Sequence, residues 1–180
     1  MSYLSPRGKI ELKKGSMSVE HVGIQTFITN YNATDRDWLE LKWNGKFGAK
    51  FKDENYIFRQ QIASIVCDQI HTVNLDLIRD LFIELGKVAQ VSFSVFQNYH
   101  ILAQELLERG GKEYLFDYVC AAHISFDTFL STANIQLSSE RTDEILTYFD
   151  FLKQTESDPQ VQKMLSDHIR SRFVSLQKLS

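Results

Sequence analysis

The sequence predicts a mainly α-helical fold, a bundle of about five helices with a small antiparallel β region at its N-terminal end. Three observations carry this reading. Asn74 to Gly111 keeps a helix-compatible apolar pattern for about ten turns without a proline. A helix that long and that broadly apolar needs other helices to cover it. From Tyr56 onward apolar residues recur at steps of three and four, whereas Lys9 to Lys13 alternates charged and apolar side chains. The expected organisation is one domain over residues 1–180, β-rich over 1–53 and a helical bundle over 55–180, in keeping with a length of 180 residues and 43% apolar content.

In chain order, Lys9 to Lys13, a turn at Gly15-Ser16 and the β-branched and aromatic run Ser18 to Tyr31 predict a first hairpin. A second is expected from Asp37 to Phe51, turning at Asn44-Gly45, because both turn positions tolerate positive φ. A rival reading makes Thr34 the N-cap of a short helix, with Asp35 and Asp37 in its first turn and Gly45 ending it. The first bundle helix then runs from Tyr56 to about His71, with Phe58, Ile62, Ile65 and Val66 on one face, and Asn74 caps the next. A continuous helix from Asn74 to Gly111 would reach roughly 50 Å, so a break is expected, at Gly86 or at Ser92-Phe93-Ser94. Gly110-Gly111 ends the long segment, and a further helix begins at Lys112, with a stripe from Leu115 to Ala133. Ser138 and Ser139 precede the acidic start of another, and Asp158-Pro159 opens the last, which carries Val161, Met164, Leu165, Ile169, Phe173 and Leu176 inward.

Net charge is −3 and the basic residues are scattered, which argues against a nucleic-acid partner. Residues 1–15 hold no apolar run of signal-peptide length and no later run is long enough to span a bilayer, so the expectation is a cytoplasmic protein with no membrane partner. Cys67 and Cys120 stand alone in apolar surroundings and are expected as buried, reduced thiols.

Four constellations bear on chemistry. Cys120, His123 and Asp127 share one face of a helix at steps of three and four. Side chains stacked that way point together, and no strand–turn–helix elbow surrounds the cysteine, so no catalytic residue is assigned. Asp68, His71, His100, His123 and Asp127 include no pair of Glu-x-x-His motifs and no His-Glu-x-x-His, so no metal or other cofactor is assigned. His100, in the most apolar segment, and His123 are the residues a sensor would use to hold a ligand. Lys163, Arg170, Arg172 and Lys178 make the last helix basic, either as a phosphate-binding face or as cations complementing the helix dipole.

Both tryptophans, Trp38 and Trp43, fall in the N-terminal region, as the seam to the bundle or as a contact patch. The leading expectation is a regulatory or adaptor protein that binds a protein partner through Trp38 and Trp43, a second copy of the chain being a compatible partner. The alternative is a helical sensor using His100 or His123, and the third a thiol- or metal-dependent enzyme.

Overall fold

A computed structural model describes residues 17–177. The protein is mainly helical, with nine α-helices and no strand among the described residues. They are α1 (Met17–Asn30), α2 (Tyr56–Asp68), α3 (Leu75–Ser92), α4 (Tyr99–Gly110), α5 (Leu115–Ala122), α6 (Phe126–Ser131), α7 (Ser139–Thr155), α8 (Pro159–Met164) and α9 (Asp167–Ser175). No described helix is long and apolar enough to cross a membrane.

The predicted boundaries hold where a side chain enforces them. Asn74 accepts from the Asp76 N–H to start α3, Ser138 accepts from the Arg141 N–H to start α7, and Gly111 ends α4 at φ 55°. The long segment breaks at Phe93, which takes the left-handed conformation (φ 56°) and parts α3 from α4. Gly86 leaves α3 unbroken. Its role is steric, since a Cβ there would stand 2.8 Å from the Tyr99 hydroxyl, so the missing side chain lets α4 close on α3.

The bundle has more helices than the five expected. The helix from Lys112 divides at His123–Ser125, where the Ser125 side chain caps α6, and the last divides at Leu165, where Ser166 caps α9. Of the expected N-terminal β region, the described residues begin only at Met17, and from there on they form no strand. Met17–Asn30 is a helix where a strand from Ser18 to Tyr31 was expected; the proposed partner strand Lys9 to Lys13 and the turn Gly15-Ser16 lie outside the described residues. Ile24, Phe27, Ile28 and Tyr31 are buried, and their steps of three, four and seven are a helical stripe. The hairpin expected around Asn44-Gly45 is reduced to one antiparallel bridge, Trp43 to Asp53. The rival short helix exists as a 3₁₀ turn, Ala33–Trp38, capped by Asn32 and not by Thr34, and it ends at Leu39, well before Gly45.

α3 is the central helix, packed against α2, α4, α5 and α6. The Phe82 ring lies between Tyr99 of α4, 4.4 Å away, and Tyr118 of α5, 5.8 Å away, near-parallel to both. Burying each of these rings stabilises the fold by about 1.5–3 kcal/mol. The core continues without interruption from Ile24 to Leu176. The C-terminal end is tied back by the Leu137 N–H, which donates to the Leu176 carbonyl at 2.7 Å.

Candidate functional site: a groove beside a lysine-bearing loop

Residues 40–54 form a loop organised by Asn44. Its Oδ1 accepts from the N–H groups of Lys46 and Lys52, both at 3.2 Å, and its Nδ2 donates to the Lys50 carbonyl at 2.9 Å. Gly45 supplies the positive φ, 74°, that the tight reversal requires. The loop is then hung on α2 and α3. The Arg59 guanidinium pairs with the Asp53 carboxylate and donates to the carbonyls of Leu39 (2.8 Å) and Glu40 (3.1 Å), while the Leu41 N–H donates to Glu84 Oε2 at 2.9 Å.

This anchoring leaves a groove of about 760 Å³ between the loop, the start of α2 and the end of α3. Leu85 and Val88 contribute from α3, Tyr56 and Ile57 from α2, and Val95 and Phe96 from the connector to α4. Ile57 is 70% exposed and Phe93, between the lining residues Ser92 and Ser94, is 77% exposed. Phe47 bridges Trp43 (ring centroids 4.8 Å apart) and Phe93 (6.2 Å). A bulky side chain held outward on a left-handed backbone costs roughly 1–2 kcal/mol that packing does not return. Lys42, Lys46, Lys50 and Lys52 on the loop are exposed and make no ion pair among the described residues.

The two tryptophans do not line this groove. Trp38 is 40% exposed and packs on Phe58, with centroids 6.0 Å apart. Trp43 is half-buried in the loop, its Nε1 donating to the Lys46 carbonyl at 2.8 Å. His100 is exposed on the first turn of α4. His123 ends α5, half-buried, with Nδ1 at 2.9 Å from the Val119 carbonyl and Nε2 buried without a partner. Neither histidine lines the groove.

Cys120, His123 and Asp127 are not on one continuous helix, since Cys120 belongs to α5 and Asp127 to α6, with the cap Ser125 between. The Cys120 thiol lies 3.5 Å from the Met164 sulfur, and burial, then the Asp117 charge, push it up, opposite to an activated nucleophile. Cys67 is pushed up to about 12 by burial and then by Asp68. His71 pairs with Glu105 at 3.0 Å, and no three histidine, cysteine or carboxylate side chains among the described residues are arranged to hold a metal ion.

Sequence reasoning also missed a buried acidic cluster. Asp80 and Glu84 of α3 are fully buried; Tyr31 Oη donates to Asp80 at 2.6 Å, Arg79 Nε donates to it at 3.0 Å, and Lys87 donates to Glu84 at 2.7 Å. Arg36 of the 3₁₀ turn approaches both carboxylates at 3.8 Å. This cluster fastens residues 31–41 to the central helix. Nearby Asp117 is pushed up by burial, pulled down by Arg79 and pushed up again by Asp80. Its sequence signal was two carboxylates four residues apart beside the buried positions Leu77, Leu81 and Leu85. For the groove the signal was the interleaving of lysines with Trp43, Phe47 and Phe51.

No known protein family, curated protein or solved structure matches this chain.

Proposed function

We propose that this protein works as a cytoplasmic regulatory or adaptor module that binds a polypeptide segment along the groove, the segment carrying apolar side chains and acidic flanks. The observation behind the reading is the groove itself, with Tyr56 and Ile57 exposed on it and unpaired lysines on the adjoining loop. Apolar anchors in a cleft supply most of the affinity of a peptide site, and a rim of one charge sets partner choice and encounter rate. The outward Phe93 extends the apolar surface available to such a segment.

The test is a peptide-display selection against the full chain, followed by anisotropy titration of the selected peptides. The expected peptides carry apolar residues with Asp or Glu beside them, and Ile57→Asp weakens them by at least about tenfold. Peptides that bind Ile57→Asp as well as the wild type overturn the reading. So does a loop that takes single-stranded oligonucleotide with steep salt dependence while no peptide is selected.

A further inference from the structure

Asn44, which organises the loop beside the groove, is also the one asparagine of the chain that a glycine follows. The other six precede Tyr31, Ala33, Tyr56, Leu75, Tyr99 and Ile135, whose side chains hinder attack by their own backbone nitrogen on the preceding carboxamide. Asn44 and Gly45 are both exposed, and a Cβ placed on Gly45 would meet no atom within 4 Å. The Gly45 N–H makes no hydrogen bond among the described residues. An unhindered and unpaired backbone amide therefore stands next to an exposed carboxamide.

The loop depends on that side chain being an amide. Its Oδ1 accepts from the Lys46 and Lys52 N–H groups, a role that a carboxylate keeps, but its Nδ2 donates to the Lys50 carbonyl at 2.9 Å. A carboxylate oxygen in that place sets one acceptor against another, and the contact turns repulsive. Trp43 is tied to the same stretch, its Nε1 donating to the Lys46 carbonyl at 2.8 Å, so its indole senses any loosening there.

We propose that Asn44 is a site of spontaneous deamidation, a covalent switch that loosens the loop and lowers its positive charge. The Gly45 nitrogen, its proton lost to solvent base, attacks the carboxamide carbon of Asn44. The new bond closes a cyclic imide, and the side-chain nitrogen takes a proton from solvent and leaves as ammonia. Water then adds to one imide carbonyl. Cleavage at the side-chain carbon gives aspartate, and cleavage at the main-chain carbon gives isoaspartate, which adds one carbon to the backbone path. The exposed Lys42, Lys46, Lys50 and Lys52 on the same loop favour the anionic nitrogen and the anionic adduct. The three side-chain hydrogen bonds must part before the attack, so the reaction draws on the opened loop. Weaker capture of acidic segments by the converted chain rests on the groove reading, whereas the conversion and the loosening do not.

The experiment incubates the full chain for weeks at physiological temperature in mildly alkaline buffer. Peptide mapping by mass spectrometry and labelling with an isoaspartyl methyltransferase locate the products. Conversion at Asn44 is expected to exceed that at any other asparagine by at least about tenfold. Asn44→Asp, which reproduces the aspartate product, isolates the consequence for the loop. Tryptic cleavage after Lys46 or Lys50 should become at least about fivefold faster, and Trp43 emission, read alone in a Trp38→Phe background, should shift to the red. Peptides selected on the groove should bind Asn44→Asp severalfold more weakly at low salt. If no peptide is selected, the groove reading falls and the conversion and cleavage rates still decide this one. The proposal is overturned if Asn44 stays intact in the native chain while it converts in urea, or if another asparagine converts first. Cleavage rate and emission unchanged in Asn44→Asp overturn it equally.

Discussion

Arg59 and Asp53 form an ion pair in which both side chains are fully buried, and the same guanidinium holds the carbonyls of Leu39 and Glu40. One cation on α2 thus fixes both ends of the loop that borders the groove. Replacing it with Arg59→Met leaves the Asp53 carboxylate buried and unpaired, and the expected loss is about 3–5 kcal/mol in urea unfolding. Restoring neutrality with Asp53→Asn in the same chain should recover part of that loss, and a double variant no more stable than the single one counts against the pairing as the cause.

Asp117 should be a site where the native side chain costs stability at neutral pH. Its carboxyl is raised in the fold, chiefly by burial. The folded state therefore holds its proton where the unfolded state has lost it, a contribution present below the usual carboxylate range and lost as pH rises through the folded value. Asp117→Asn is expected to gain on the order of 0.5 kcal/mol at pH 7 after solvent screening, and to gain nothing near pH 3. Thermal melts of both proteins at the two pH values check this.

His123 works in the opposite sense. Burial, then the charges of Arg172 and His168, lower its imidazole, against the raising effect of the Val119 carbonyl. The unfolded chain binds this proton more readily, so stability falls as pH drops below about 6.5, until the folded value is reached. Urea midpoints at pH 7.5, 6.5 and 5.5 should show that fall, and His123→Phe should flatten it. An unchanged slope in the variant would assign the effect elsewhere.

Thiol reactivity should be low in the native state. With Cys67 pushed up to about 12 and Cys120 also raised, the thiolate population at pH 7 is very small at both positions. An Ellman titration of native protein should label both slowly and label both quickly in denaturing urea. Rapid native labelling of Cys120 would reopen the thiol-enzyme alternative.

Phe93 offers a separation of stability from binding. Glycine takes the left-handed conformation without strain, so Phe93→Gly is expected to stabilise the fold by about 1 kcal/mol, and to weaken groove peptides if the exposed ring is part of their contact. Melting temperature and peptide anisotropy, measured on one sample, read both effects.

Much of the helical part was legible because the signals were local and chemically exclusive. Asn74, Ser138 and Gly111 each terminate a helix through their own side chain or its absence. The break at Phe93 was legible for another reason, the length limit of a small domain. Misreading began where composition was weighed above period. Ser18 to Tyr31 is rich in β-branched and aromatic types, yet Ile24, Phe27, Ile28 and Tyr31 stand at helical spacing. The extra breaks at Ser125 and Ser166 were announced by serines in an otherwise continuous stripe, a weaker mark than glycine or proline.

The sites were less legible than the helices. Trp38 and Trp43 drew attention by type, whereas the groove is lined by residues from four separate segments that only the packing of α2 against α3 brings together. Arg172 was read only as one of four cations of a basic last helix, because burial of a charge leaves no trace in the spacing around it.

The stack of Phe82 with Tyr99 and Tyr118 joins three helices at one point, while both tryptophans lie between residues 33 and 54. Nature has thereby equipped the molecule with two built-in optical reporters. Indole emission follows detachment of the loop, and near-ultraviolet dichroism from the phenols follows separation of the central helices. Non-coincident curves from the two chromophores would resolve a partly opened species that a single-wavelength melt averages away.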